Sequence, residues 1–215
     1  APVYGVKRRI SDIRLDGKLD ADEWNGSDKS KALIVEKNIG KNAEEGNKSY
    51  LWMSYDDRYL YIAIENEPDP VKHATTDEER KKGLGTSFNE VCIEGKYTKK
   101  TWWWDRSVNL GPVFVFDAYS DGRIKVHNIF GMPEKDLDNI VNTLIYKAFV
   151  IDAASHHWTS EWRIPLSSLS MFPVLPDTAR FNMASAKTGG LWFAWVVPGG
   201  SIWRLDNAGT IKFEK

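Results

Sequence analysis

The sequence contains one cysteine, Cys92, among 215 residues, so no intrachain disulfide bond can form. Cys92 lies in an apolar, strand-like run, and we expect a buried, unreactive thiol. No apolar run reaches the roughly 18–20 residues that a membrane-spanning helix needs. The formal net charge is −1 and the basic clusters are short. Nucleic-acid binding is therefore disfavoured, because proteins of that class usually carry a basic patch.

The common motifs of catalytic and cofactor sites are also missing. The sequence has no GxSxG, HExxH, phosphate-binding loop, CxxC or clean GxGxxG pattern. Carboxylate pairs such as Asp117 with Asp121 lie at predicted hairpin turns, where Asp is common for backbone reasons. His156 and His157 point to opposite sides of an extended chain, which disfavours a shared metal ion. We predict that the protein is not an enzyme.

Helical periodicity is weak, whereas strand patterns are frequent. The best helical candidate is the short polar segment 76–82, which we expect to be a surface turn of helix inside a loop, and we expect a second short turn at 166–169. Asp56-Asp57-Arg58 and Ser120-Asp121-Gly122 each separate two strand-like runs and predict hairpins. The expected strands are 50–55, 59–64, 88–94, 113–119, 123–128, 144–151, 158–164, 180–186, 191–197 and 209–214. This pattern predicts one all-β domain over residues 1–215, an antiparallel β-sandwich or jelly roll with short helical turns in its loops.

Tryptophan is abundant, with ten residues, and three segments combine it with polar neighbours: 101–106, 157–163 and 199–204. Flat aromatic faces stack on sugar rings while adjacent polar groups bond the hydroxyls, a combination typical of carbohydrate binding without catalysis. Trp203 follows a glycine-containing loop and adjoins Arg204, which favours an exposed ring that contacts a ligand.

Other tryptophans are expected to divide between core and surface. Trp158 and Trp162 lie four residues apart, on one face of a strand, and predict a core face. Trp192 and Trp195 lie in a strongly apolar run and are also expected in the core.

The run Trp102-Trp103-Trp104 cannot form one aromatic platform in a strand, because Trp102 and Trp104 face one way and Trp103 the other. Trp103 shares its side with Thr101 and Asp105, a hydroxyl and a carboxylate that suit a sugar. We therefore expect Trp103 to be the outward ring.

The order of several motifs resembles that of family 9 carbohydrate-binding modules. Residues 13–24 are similar to the family's entry motif, I-D-G-x-L-D-x-x-x-W, and residues 55–63 to its Y-D-D-x-Y-L-Y-V-A hairpin. Further similarities follow in chain order at 88–93, 161–169 and 201–211. No single motif is specific, but five in sequence indicate the family.

The resemblance implies an antiparallel β-sandwich, related to DOMON domains, that binds plant-type polysaccharides such as xylan and cellulose, or their oligosaccharide chain ends, through Trp rings. It implies a secreted or cell-surface bacterial protein, often appended to a glycoside hydrolase and often holding structural Ca²⁺. Asp16, Asp20 and Asp22 are spaced suggestively for calcium, but they form no EF-hand loop. The calcium ligands therefore stay unassigned.

The same comparison indicates a ligand site. Trp203 matches the family's clamp Trp near the C-terminus, and Glu90 matches an acid that contacts ligand. The second clamp Trp is replaced by Leu84, the ligand-binding Arg falls near Val115, and the Gln near Ala184. The Trp triplet is the expected substitute for the lost wall. The candidate ligand-binding residues are Trp203, Glu90, Trp103, Trp102, Trp104, Arg204 and Asn89.

Three alternatives stay open. The missing clamp residues favour a structural or docking sandwich that binds no sugar. A haem-binding domain of the DOMON type needs Met and His axial ligands, and the candidates are Met53, Met132 or Met183 with His127. The third alternative is an enzyme whose site no motif reveals.

Overall fold

A computed structural model gives the structure of residues 1–24, 28–40, 47–68, 87–95, 113–127, 134–187 and 191–215. Within these ranges the chain forms thirteen strands and one α-helix. In chain order they are β1 Val3–Arg8, β2 Leu33–Val35, β3 Lys37–Asn38, β4 Ser49–Tyr55, β5 Tyr59–Asn66, β6 Phe88–Glu94, β7 Val113–Tyr119, β8 Ile124–His127, α1 Glu134–Thr143, β9 Ile145–Asp152, β10 His157–Pro165, β11 Thr178–Lys187, β12 Leu191–Ala194 and β13 Gly209–Glu214. Two short 3-10 turns cover Lys29–Lys31 and Leu205–Asn207. The all-β prediction is confirmed.

The strands form one continuous sheet that folds over itself. Its hydrogen-bonded order is β8-β7-β6-β11-β13-β1-β4-β5-β10-β9, with β12 beside β11, β3 beside β12 and β2 beside β4. We call β6, β7, β8, β11 and β12 the first leaf, and β2, β4, β5, β9 and β10 the second leaf. β1 joins them through parallel pairing with both β13 and β4. The remaining pairs of the described strands are antiparallel.

The main core lies between the inner faces of the two leaves. Both leaves contribute large apolar side chains that are fully buried: Val91, Phe116 and Phe181 from the first, Leu51, Ile62 and Trp162 from the second. Phe116 meets Trp162 edge-on, with ring centroids 6.0 Å apart. Burial of each such side chain contributes roughly 1.5–3 kcal/mol, so this interleaf contact is the main source of stability.

The predicted hairpins are present, and local side-chain bonds explain their turns. In the β4–β5 turn, Asp56 Oδ1 accepts from the backbone N–H groups of Arg58 and Tyr59, both at 2.8 Å. In the β7–β8 turn, Gly122 adopts a φ of 90°, which glycine tolerates without strain. The turn at 166–169 is also confirmed, because the N–H of Leu169 donates to the carbonyl of Leu166 at 3.2 Å.

Three short strands and α1 were not predicted. α1 buries Ile140 alone, with Leu137 partly buried, so its apolar pattern is too thin to indicate a helix. β1 presents one buried side chain, Val6, and pairs with sequence-distant strands, which a local pattern cannot reveal. The helical candidate at 76–82 lies outside the described residues.

Residues 13–24 cover the outer face of the second leaf, and we call this segment the N-terminal cover. Trp24 is fully buried there against Tyr50, Trp52, Tyr61 and Ala63. Its indole N–H donates to Glu161 Oε1 at 3.2 Å. This second, smaller core explains why the entry motif ends in Trp.

Glu161, on β10, accepts hydrogen bonds from two residues of the N-terminal cover, Gly17 and Trp24. Its side chain is fully buried, and Oε2 accepts from the backbone N–H of Gly17 at 2.5 Å. Gly17 has a φ of 86°, and a Cβ there would collide with Phe149. Burial raises the pKa of Glu161 to about 7, although the two N–H donors oppose that rise.

Candidate ligand-binding face

The outer face of the first leaf carries the Glu90 position. Side chains alternate along β6, so Val91 and Ile93 enter the main core while Glu90 and Cys92 point outward. The strand register places Glu90 opposite Asp117 on β7 and opposite Ala184 on β11. Residues opposite each other on paired strands share a face, so Glu90 and Asp117 are outward neighbours.

A group of two acids and one histidine lies on this face. His127 Nε2 donates to Asp117 Oδ2 at 2.5 Å. The other oxygen, Oδ1, is buried and has no hydrogen-bond partner within the described ranges. Burial, followed by the charge of Asp117, raises the pKa of Glu90 to about 7. The group thus offers a carboxyl, a carboxylate oxygen and an imidazole, which can accept and donate hydrogen bonds to hydroxyl groups.

Apolar side chains form a floor around these polar groups. The floor consists of Cys92, Val113, Val115, Ala184, Ala194, Ile202, Leu205 and Ala208. Trp192 and Trp203 are half-buried and pack against it. Cys92 is fully buried, as predicted, and burial raises the pKa of its thiol. The face thus combines aromatic surface with recessed polar groups, as carbohydrate sites do.

Trp203 reaches this face through a short turn after β12. The N–H of Arg204 donates to the carbonyl of Ser201 at 2.9 Å, and the 3-10 turn Leu205–Asn207 follows. Arg204 is exposed, and its guanidinium lies 5.8 Å from the centre of the Trp203 ring. Gly209 then lets the chain pass close to Trp195, because a Cβ there would collide with that indole. Trp203 and Arg204 therefore lie beside the floor.

Asn89 does not share this arrangement. Its side chain is fully buried on the inner face of β6, where Nδ2 donates to Asn66 Oδ1 at 2.8 Å and to Ser185 Oγ at 2.9 Å. The adjacent position on a strand faces the opposite side from Glu90, so ligand contact by both side chains was a wrong expectation. Asn89 instead satisfies polar groups between the leaves.

The other aromatic predictions have mixed outcomes. Trp158, Trp162 and Trp195 are buried, as expected of core residues, whereas Trp192 is half-buried on the outer face. Trp102, Trp103, Trp104 and Leu84 lie outside the described residues, so the substitution of the clamp wall stays a prediction.

The haem-ligand pairs that can be checked are not formed. Met53 and Met183 belong to the main core between the leaves, and His127 lies opposite Val115 on the outer face. A single haem cannot bridge these two sides of the first leaf. Met132 lies outside the described residues.

Asp117 and His127 are not among the predicted sugar-binding residues, and His127 is named only as a candidate haem ligand. The sequence pairs Asp117 only with Asp121, whose Oδ2 instead accepts from Arg123 Nε at 2.7 Å. The alternation of Asp117 with Val113 and Val115 along one strand was the available signal. Its nearness to Glu90 could not be inferred, because β6 and β7 are not adjacent in the sequence and their register appears only in the folded sheet.

Solved structures provide an independent comparison. A family 9 carbohydrate-binding module from Caldicellulosiruptor kristjanssonii, in complex with cellotriose, matches with a TM-score of 0.66 over 99% of this chain and 93% of that chain, at 15% identity. The chain has the fold of a family 9 carbohydrate-binding module. A glucose complex of such a module from that organism gives a TM-score of 0.61 at 15% identity, covering 98% of this chain and 95% of that chain.

A candidate carbohydrate-binding protein from Bacteroides uniformis matches with a TM-score of 0.62 at 12% identity, over 99% of both chains. No protein-family model and no curated protein matches the sequence. The predicted resemblance to the family 9 fold is thus confirmed in three dimensions, although the sequences have diverged widely.

The family 9 fold clarifies the replaced positions. Val115 and Ala184, where the resemblance places the family's Arg and Gln, both belong to the floor beneath Glu90. Positions separated in the sequence therefore converge on one surface. The surface carries apolar groups where the resemblance places the family's Arg and Gln, while Asp117 and His127 add polar groups to it.

The raised pKa of Glu90 predicts a pH dependence of stability. Because folding disfavours the ionised form, the free energy of unfolding should fall as pH rises from about 4.5 to about 7 and then level off. Glu161 contributes a fall over the same window. Glu90→Gln should remove roughly 1–3 kcal/mol of this fall. Urea unfolding at pH 4.5, 5.5, 6.5 and 7.5 measures it, with Glu161→Gln as the parallel variant. An unchanged pH profile in Glu90→Gln contradicts the assignment.

Proposed function

We propose that this protein binds carbohydrate, without catalysis, on the outer face of the first leaf. The observation that carries the proposal is the convergence of Glu90, Asp117 and His127 with the half-buried rings of Trp192 and Trp203 around one apolar floor. Recessed acceptors would bond sugar hydroxyls, and the rings would cover the apolar faces of the sugar.

The proposed ligand is a plant-type polysaccharide, such as cellulose or xylan, or an oligosaccharide chain end. Two modules with the same fold were solved with cellotriose and with glucose, which supports a β-linked glucan as the first ligand to test. Glu90 and Trp203 occupy the positions that the resemblance assigns to ligand contact. Trp102, Trp103 and Trp104 remain the proposed replacement for the missing clamp Trp.

The proposed setting is a secreted or cell-surface bacterial protein that directs an attached or partner glycoside hydrolase to its substrate. No helix among the described residues is long and apolar enough to cross a membrane.

Structural Ca²⁺ is a proposal that rests on the resemblance alone. Among the described residues, no group of three or more His, Cys, Asp and Glu side chains is arranged to hold a metal ion. Asp16 Oδ1 accepts from the N–H of Lys18 and Asp20 Oδ2 accepts from Arg14, each at 3.0 Å. Asp16, Asp20 and Asp22 therefore do not form such a group by themselves.

Calorimetric titration of the whole chain tests the function. Cellotriose and xylotriose are the probes, and lactose is a control with a different terminal sugar. We expect cellotriose or xylotriose to bind, and we expect Glu90→Ala to raise the dissociation constant. If a broad glycan array yields no ligand, the docking alternative replaces this proposal.

A further inference from the structure

A polar groove lies on the outer side of the second leaf, whereas the floor around Glu90 lies on the outer side of the first leaf. Its volume is about 890 Å³. It forms where residues 8–13 cross the end of the second leaf, beside the β4–β5 turn and the end of β10. Arginines and aspartates dominate its lining, so its chemistry differs from that of the apolar floor.

The aspartates of the groove are already paired. Arg8 Nη2 contacts Asp57 Oδ1 at 2.5 Å. Arg9 contacts Asp56 at 2.7 Å and Asp12 at 2.5 Å. Four lining arginines against three aspartates leave a net charge of +1. The excess positive charge must therefore come from arginines outside these pairs.

Arg58 and Arg163 are those arginines. Within the described residues, neither guanidinium has a carboxylate partner; Arg163 lies over the ring of Tyr59, 5.0 Å from its centre. Stacking on an aromatic ring restricts a guanidinium while leaving its N–H edge available. Arg58 is exposed at the β4–β5 turn, on the same groove. Two guanidinium groups thus face one groove with donors available.

The wall beneath these arginines is firmly held. Asp56 accepts from two backbone N–H groups of its turn, and its Oδ2 accepts from the Tyr61 hydroxyl at 2.9 Å. These bonds, together with Arg9, lower the pKa of Asp56 despite its partial burial. Asp56 therefore stays ionised and forms its ion pair with Arg9. This carboxylate does not pair with the guanidinium of Arg58 or Arg163.

We propose that this groove binds the anionic group of an acidic saccharide, a carboxylate or a sulfate ester, through Arg58 and Arg163. Guanidinium groups suit such oxyanions because they donate parallel N–H bonds. The half-exposed ring of Tyr59 supplies apolar surface for the sugar that carries the charge. The choice of a saccharide rests on the proposed function, whereas the preference for an oxyanion rests on the arginines.

The groove and the Glu90 face are separable by experiment. They lie on the outer sides of opposite leaves, so one trisaccharide cannot span both. Calorimetric titration uses trigalacturonate as a carboxylate probe, a sulfated carrageenan oligosaccharide as a sulfate-ester probe, and inorganic sulfate as the charge alone. Cellotriose is the neutral control. The variants are Arg58→Gln/Arg163→Gln, Arg163→Lys and Glu90→Gln, each in the full chain.

We expect at least one acidic oligosaccharide to bind, about tenfold more weakly in the double variant and less tightly as salt concentration rises. Arg163→Lys should bind at an intermediate level, because it keeps the charge but loses the planar donor edge. Glu90→Gln should leave this affinity unchanged.

No binding by either acidic probe, or equal binding by wild type and the double variant, overturns the groove assignment. Inorganic sulfate binding as tightly as the acidic oligosaccharide overturns the saccharide part. If the protein binds an acidic probe but not cellotriose, the proposed function of the Glu90 face fails while the groove assignment is supported.

Discussion

Replacing Trp203 by alanine is expected to weaken binding of the glucan ligand about tenfold, because a stacked indole contributes roughly 1–2 kcal/mol at such sites. The structure also predicts a small cost to the fold. Trp203 packs against Ile202 and the rest of the floor but stays half-exposed, so the free energy of unfolding should fall by about 1–2 kcal/mol. Calorimetric titration and urea unfolding measure the two effects separately.

Phe172→Ala is a matched control, because Phe172 is 57% exposed and lines a different pocket, with Tyr55 and Met171, that contains no floor residue. It should leave glucan affinity unchanged. The outcome that contradicts the role of Trp203 is unaltered affinity together with a stability loss of 3–5 kcal/mol, since that cost belongs to a core aromatic.

The second large effect is expected from Glu161→Ala. This substitution leaves the indole N–H of Trp24 and the backbone N–H of Gly17 without their acceptor beneath the N-terminal cover. Each unpaired buried donor costs about 1–3 kcal/mol, so the free energy of unfolding should fall by about 3–5 kcal/mol. Urea unfolding at pH 6 measures this loss of unfolding free energy.

Two further variants sharpen that result. Glu161→Gln keeps the volume and one acceptor, and should lose about 1–2 kcal/mol. Glu65→Ala removes a partly exposed carboxylate on the adjacent strand, which pairs with Lys29 and His157, and should lose less than about 1 kcal/mol. Equal losses for Glu161→Ala and Glu65→Ala would show that burial of Glu161 has no special role.

Most of the fold could be predicted because its signals are local. Alternation identified the long strands, and Asp56 and Gly122 marked turns whose geometry their own side chains or φ values explain. The entry motif was recognisable from its residue order: Gly17 has the positive φ that favours glycine, and Trp24 fills the small core on the outer face of the second leaf. α1 and β1 escaped prediction because tertiary pairing, rather than local pattern, stabilises them.

The candidate site was predictable only in part. Glu90 and Trp203 followed from motif order, but neighbouring motif residues need not share a face, as the inward side chain of Asn89 shows. Asp117 and His127 join the site through the register of β6, β7 and β8, and register is a property of the folded sheet. The buried carboxyl beneath the N-terminal cover likewise depends on a contact 137 positions apart in the chain.

The most direct test of carbohydrate binding on the first leaf is a two-dimensional amide NMR titration of the full chain with the glucan oligosaccharide that binds in calorimetry. We expect the shifted amide signals to cluster at Glu90, Asp117, His127 and Ala184 and around Trp203, with the Trp24 indole signal unmoved. Shifts confined to the N-terminal cover or the second leaf, with the Glu90 and Trp203 signals unchanged, would contradict the proposed binding face.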